Sequence, residues 1–234
     1  MPTYLSHRQP DLVELMDGDD CDLIKLENTY RQFSTINSLL SNWKRIYKNK
    51  LKPHMIGTCK TFSLLDIGFG GGDIPISISK WARQDGIDLN ITAIETDQRA
   101  FNFARSLPND ASVTFLNCSS SDLVKENKSF DFVISNHVLH HLDEENTHQI
   151  LKEAKDLAKR LVIFNDIERS DFGYTLFNIF SRPLFWNSFI AADGLTSIKR
   201  CYTKNELTEI APKGWKVERS FPFRLLLTLT LKNE

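Results

Sequence analysis

Residues Ser63–Pro75 read SLLDIGFGGGDIP: an apolar run, four glycines within five positions, then a segment with helical spacing. Glycine weakens strands and helices alike, so such a cluster needs a local reason. A glycine turn between a strand and a helix leaves bare backbone beside the unsatisfied N–H groups and partial positive charge of a helix N-terminus. A nucleotide-like ligand can lie there.

The surroundings support a strand–turn–helix reading. Residues 62–67 form a short apolar strand, and 73–84 a helix with Ile76, Ile78 and Trp81 among its apolar positions. Further strands are expected at 89–95, 112–117, 130–136 and 160–166. Helices are expected at 98–107 and 144–159, the latter capped by Asp143 with Glu144 and Glu145 in its first turn. Strands alternating with helices argue for an α/β chain built on a parallel sheet covered on both faces. Thr203–Ile210 reads as one more helix, and Trp215–Leu231 as two strands joined near Pro222. Residues 28–50 carry Tyr30, Phe33, Ile36, Leu39, Leu40, Trp43 and Tyr47 at three- and four-residue steps and are expected to be helical. Residues 170–200 are dense in aromatics: Phe172, Tyr174, Phe177, Phe180, Phe185, Trp186 and Phe189.

Two ligand classes compete for the turn. A dinucleotide fold wants G-x-G-x-x-G, and the third glycine falls on Asp73 or on Pro75, depending on the start. What stands here is D-x-G-x-G-G-G-D. This resembles motif I of the class I S-adenosylmethionine-dependent methyltransferases, and the resemblance continues through residues 62–167. Ile94-Glu95 ends the second strand, where that family places an acidic residue on the ribose hydroxyls. Ser129–Leu142, SFDFVISNHVLHHL, is similar to the fourth-strand motif of its small-molecule branch.

The resemblance implies a Rossmann-like seven-stranded sheet, mostly parallel with one antiparallel strand. It implies an N-terminal helical extension over residues 1–61 and a methyltransferase domain over 62–234, with an aromatic lid insertion at about 170–200. The implied cofactor is S-adenosylmethionine, held by Asp66, Gly68, Gly70, Gly72, Glu95, Ser119, Ser120, Asn136 and His137. Glu95 also fits on physical grounds, because a carboxylate accepts charge-assisted hydrogen bonds from two vicinal hydroxyls. Asp73 is expected to cap the helix after the turn. Ser119 stands where the family usually has an aspartate for the adenine amino group, and Asp122 is a second candidate for that contact.

Methyl transfer from a sulfonium releases a neutral leaving group, so positioning dominates the chemistry. An oxygen nucleophile must still lose its proton, and a phenol with pKa ~10 is mostly protonated at neutral pH. His140 and His141 are the candidate bases, His140 ahead; packing and helix entry are the competing role for both. No metal site is expected, since His141 and His148 are seven apart and the acidic residues between them suit a helix start. The aromatic segment suits a cover over a flat apolar acceptor, or packing onto the core or onto the partner in a homodimer. Tyr30 and Phe33 either close over the cofactor, with cation–π contact to the sulfonium, or pack in the core.

Composition bounds the rest. Of 234 residues, 41% are hydrophobic and 25% charged, which suits one large domain with a sizeable core. Lys plus Arg number 29 against 30 Asp plus Glu, so net charge gives no argument for nucleic acid. Locally, residues 11–27 hold seven acidic side chains and one basic, and residues 31–60 hold seven basic and none acidic. These are either two attracting helix faces or a basic patch. Cys21, Cys59, Cys118 and Cys201 are scattered, which suits reduced thiols in the cytoplasm. No membrane span or signal peptide is evident. The expected activity is methylation of a small aromatic, polyketide-like or quinone-like acceptor at oxygen. An RNA or protein methyltransferase and a nicotinamide-dependent oxidoreductase are the alternatives.

Overall fold

The computed structural model describes residues 3–57, 60–108 and 112–231. Strands β1 (Phe62–Ile67), β2 (Leu89–Glu95), β3 (Val113–Asn117), β4 (Phe130–Asn136), β5 (Ala158–Ile167), β6 (Lys216–Ser220) and β7 (Arg224–Thr230) form one seven-stranded sheet in the order β3-β2-β1-β4-β5-β7-β6. β1 pairs in parallel with β2 and β4, β2 with β3, and β4 with β5. β7 runs antiparallel to both β5 and β6. This is the Rossmann-like sheet expected from the sequence. The chain order reverses between β1 and β4, and in open α/β sheets ligands bind in the crevice outside the carboxyl ends of the strands at that point.

Helices cover both faces because the central strands are apolar on both. On one face, α3 (Asp73–Gln84) packs Ile74, Ile78 and Ala82 with Trp43, Ile46 and Leu51 over Leu64, Ile91 and Phe132. On the other, α6 (Glu144–Leu157) packs Leu151, Ala154 and Leu157 over Leu65, Val133 and Val162. α4 (Gln98–Ser106) and α5 (Ser120–Lys125) follow β2 and β3, and α9 (Lys204–Ile210) precedes β6.

α1 (Leu23–Leu40), α7 (Asp171–Leu184) and α8 (Ile190–Arg200) gather at the carboxyl edge, where all three line the cavity described below. α1 is capped by Asp22, whose side chain accepts from the N–H groups of Ile24 and Lys25. The expected helix over 28–50 is not continuous. Asn42 adopts φ 60°, and α2 (Trp43–Ile46) then runs into a π turn at Tyr47–Leu51. Asparagine tolerates the left-handed region better than most residues, so the helix breaks there. The aromatic segment folds into α7 and α8. α6 stops at Leu157, two residues short of expectation, because β5 begins at Ala158 to pair with Phe130.

Candidate active site

The glycine turn takes left-handed backbone at Gly68 (φ 74°), Gly70 (φ 53°) and Gly72 (φ 76°), which explains the residue type directly. A Cβ on Gly68 would run into Val138, and one on Gly71 would sit 2.9 Å from the Tyr30 carbonyl oxygen. Neighbours on α1, β3 and α4, and Val138 past β4, thus crowd Gly68, Gly71 and Gly72, while Gly70, whose Cβ would meet only Phe33 at 3.6 Å, faces the cavity. Gly72 does not line the cavity; it is the N-cap of α3, with Phe115 and Ala104 beside its Cα. Asp73 is the first residue of α3 and not its cap, and its carboxylate accepts from Asn37 Nδ2 at 3.1 and 3.2 Å. Burial nevertheless raises its pKa to about 6.

A cavity of about 990 Å³ runs along this edge, lined by Gly68, Gly70, Asp66, Glu95, Ser119, Ser120, Asn136 and the histidines His137, His140 and His141. Its volume lies at the upper end of ordinary ligand pockets. Asp66, one residue before the end of β1, is fully buried, and neither of its carboxylate oxygens has a hydrogen-bond partner among the described residues. Burial, with Asp73 and Glu95 nearby, pushes its pKa well above the usual carboxylate range. A buried unpaired carboxylate is costly, so it calls for a cationic ligand group. Glu95 ends β2 with its side chain fixed: Oε2 accepts from the Gly70 N–H at 3.0 Å, and Oε1 from Thr96 and Asp97 N–H at 2.8 and 3.1 Å. Its remaining lone pairs are open to donors from the cavity. A positioned carboxylate beside bare glycine backbone, and an unpaired carboxylate for an ammonium, fit S-adenosylmethionine.

The serine end is less available. Ser119 caps α5 in a reciprocal capping box, its hydroxyl donating to Asp122 Oδ2 at 2.6 Å. The same box commits Asp122, which does not line the cavity. Ser120 Oγ donates to Glu153. Both hydroxyl protons are committed, but each oxygen keeps a lone pair facing the cavity, so acceptance from an amino group there is still open to both.

Asn136 and His137 are locked into a network centred on Arg224, a buried cation that sequence reading missed inside the apolar strand β7. Arg224 donates to Asn136 Oδ1 at 3.1 Å, to His137 Nε2 at 3.0 Å and to Asn165 Oδ1 at 3.1 Å. Burial first, then the Arg224 charge, holds the His137 pKa well below its usual value, so its ring is neutral and accepts.

The histidine end is completed by a residue far upstream. Glu14, 4% exposed, places Oε1 3.5 Å from His140 Nε2, 3.9 Å from His141 Nε2 and 3.8 Å from Arg200 Nη1. Ser197 Oγ donates to it at 2.7 Å. Burial works to raise the Glu14 pKa, but His140, His141 and Ser197 together lower it to about 2. His140 is buried, with Nδ1 2.8 Å from Asp166 Oδ1 and its backbone N–H on Asp166 Oδ2. Burial disfavours its charged form, yet Asp166 and Cys201 raise its pKa well above the usual histidine value. Flanked by the Asp166 and Glu14 carboxylates, the His140 ring is favoured in its protonated form, which argues against it as the leading base. His141 is about one-third exposed, with Nδ1 3.5 Å from Asp17 Oδ2. Glu14, His140 and His141 each bring a metal-ligating atom within 4.8 Å of the others. The Arg200 guanidinium and the His140 charge already supply positive charge there. His148 is remote and meets the Ile210 carbonyl.

Of the aromatic segment, Phe172, Phe177, Phe180 and Phe185 line the cavity and Trp186 does not. Phe189 packs with Leu26, Tyr30 and Ala100. Tyr30 and Phe33 line the cavity while also packing edge to face on each other, rings 5.9 Å apart. Cys21, Cys118 and Cys201 are free thiols, and Cys59 lies outside the described residues.

Residues 64–160 match the methyltransferase domain family. No curated protein matches the sequence significantly. Among solved structures, the plantazolicin methyltransferase BpumL with bound S-adenosylhomocysteine is similar, with TM-score 0.57 and 14% identity over 89% of this chain and 96% of that one. An S-adenosylmethionine-dependent methyltransferase from Aquifex aeolicus gives 0.55 at 18% identity over 86% and 96%. Human N-acetylserotonin methyltransferase gives 0.62 at 10% over 89% and 56%. Residues 64–160 accordingly match a methyltransferase domain, and the chain shares the fold of solved S-adenosylmethionine-dependent methyltransferases over close to nine-tenths of its length.

Proposed function

We propose that the chain methylates a hydroxyl group on a small, largely apolar acceptor, with Asp66 and Glu95 holding the methyl donor and His141 taking the acceptor's proton. The observation that carries this reading is one continuous cavity joining Asp66 and Glu95 to the Glu14–His140–His141 cluster. When bound, S-adenosylmethionine supplies an electrophilic methyl group on a sulfonium. Everything else falls to the chain. Asp66 pairs with an ammonium, and Glu95 accepts from a diol. Tyr30 and Phe33 exclude water from the donor side, and Phe172, Phe177 and Phe180 exclude it from the acceptor side. His141 is the accessible imidazole of the pair, and Asp17 and Glu14 stabilise the charge it gains. His140 stays protonated between Asp166 and Glu14 and positions both. In this reading residues 1–61 and the segment at about 170–200 act as two covers over a methyltransferase core.

The solved relatives differ in acceptor. BpumL has been crystallised with desmethyl plantazolicin analogues. Another is a magnesium protoporphyrin IX methyltransferase, TM-score 0.51. An acceptor screen of phenols, pyrones and quinols with labelled S-adenosylmethionine tests the class. His141→Ala should slow methyl transfer roughly 10²- to 10⁴-fold, the usual contribution of a general base, and leave donor affinity unchanged. An unaltered single-turnover rate in that variant would remove His141 from the chemistry.

A further inference from the structure

We propose that the mouth of the cavity docks on an anionic lipid surface, so that the acceptor is an amphiphile entering from the bilayer. The identity of the acceptor rests on the function proposed above; the docking does not.

Three chain segments frame the mouth and leave their large apolar side chains in water. α7 presents Phe172, Leu176, Ile179, Phe180 and Leu184 at helical spacing. Of these, Phe172 (65%), Ile179 (58%), Phe180 (59%) and Leu184 (61%) are exposed. The end of α1 adds Leu39 at 60%, and the β6–β7 turn adds Phe221 at 82%. Contacts tie the three together. The Phe172 and Phe223 rings lie 5.9 Å apart, and Asn42 Nδ2, just past α1, donates to Ser220 Oγ and the Phe221 carbonyl at 3.0 and 3.1 Å. Gln32 of α1 reaches the carbonyl of Trp186, whose ring is 78% exposed. Single exposed apolar residues need no explanation, but a contiguous set around a cavity mouth marks an interaction surface. Exposed aromatics beside aliphatics suit the interfacial zone of a membrane.

Charge selects the occupant. Residues 31–57, 172–192 and 220–231 contain no Asp or Glu. They contain Lys44, Arg45 and Arg182, all exposed and without an ion pair among the described residues. Exposed cations on the same segments as the apolar tips, with no acidic residue among them, match an anionic lipid headgroup layer, where each basic residue adds to binding. A second copy of the chain fits poorly, because two such faces set cation against cation. No helix among the described residues is long and apolar enough to cross a membrane, so the contact is peripheral.

Co-sedimentation of the full chain with vesicles tests this. Phosphatidylcholine vesicles containing phosphatidylglycerol should bring the chain down, pure phosphatidylcholine vesicles should not, and added salt should weaken the binding. Lys44→Glu with Arg45→Glu should lower the vesicle partition coefficient about tenfold or more. Ile179→Ser with Trp186→Ser should do the same. Neither pair lines the cavity, so melting temperature and donor affinity should hold for both. Equal binding to the two vesicle types, undiminished binding by the charge-reversed variant, or a dimer in light scattering that Ile179→Ser with Trp186→Ser dissolves would each overturn the docking. Vesicle binding by a chain that methylates no acceptor would keep the docking and defeat the proposed function. Methylation of water-soluble phenols without vesicle binding would defeat the docking alone.

Discussion

At the scale of single residues, the site holds two carboxylates in opposite states. Glu95 is satisfied by three backbone N–H groups. Asp66 is buried with none of its oxygens paired among the described residues. Asp66→Asn should therefore separate stability from function. It removes a buried acid whose ionised form has no partner among the described residues, so the free protein should melt higher once pH passes the raised pKa of Asp66. It also removes an ion-pairing group, so affinity for S-adenosylmethionine and its demethylated product should fall about tenfold or more, from a charge-assisted bond of roughly 1.5–3 kcal/mol. Because the folded pKa of Asp66 is raised above its unfolded value, its protonated form favours the fold at low pH. That contribution is lost as pH rises through the folded pKa, so the variant should outlast the wild type at the alkaline end of a melting-temperature profile. A lower melting temperature with unchanged donor affinity would show Asp66 to be structural. Glu95→Ala, by contrast, should weaken donor and product alike. The residues around the glycine turn were legible because backbone conformation demands them locally. Glu14 and Arg224 were not legible, because long-range contacts give them their roles, and an isolated charge in sequence does not show what it meets.

At the scale of elements, the strands and the helices behind them were readable from period and capping, and the sheet followed. The short helix α5 was missed because SSSDLVK has no apolar stripe long enough to register; only its capping pair signals it. The break at Asn42 was missed because the apolar spacing continues across it. The cover over the cavity shows what close helix packing requires. Gly194 of α8 lies where a Cβ would enter the Phe177 ring of α7. Gly194→Ala should push that ring toward the cavity. Overpacking of this kind costs about 1–3 kcal/mol. The expected result is a lower melting temperature, a higher KM for the acceptor and little change in donor affinity. An alanine tolerated without loss of melting temperature would mean that α7 and α8 separate readily.

At the scale of the whole molecule, the N-terminal segment ahead of α1 straps the histidine end shut. Arg169, 2% exposed, donates to the Leu5 carbonyl and pairs with Glu206. Asp171 accepts from the N–H groups of Tyr4 and Leu5, and Asp193 from those of Leu15 and Met16. Arg8 ties the middle of the strap to the core. It donates to the carbonyl of Leu142 and to the Tyr202 hydroxyl at 2.6 and 2.8 Å, and its guanidinium lies 3.8 Å above the Tyr202 ring. The strap is what carries Glu14 to His140 and His141, so a remote clamp sets the geometry of the proposed base. Arg8→Ala should loosen that clamp while leaving the sheet and the glycine turn untouched. Turnover should fall with donor affinity unchanged, and the pH–rate profile should shift as Glu14 withdraws from the histidines. Arg8→Lys keeps the charge but cannot stack or fork as a guanidinium does, so it should rescue only part of the loss. If both variants lowered donor affinity as much as turnover, the strap would be holding up the whole crevice rather than its histidine end. If neither altered the pH profile, Glu14 would reach its place without the strap.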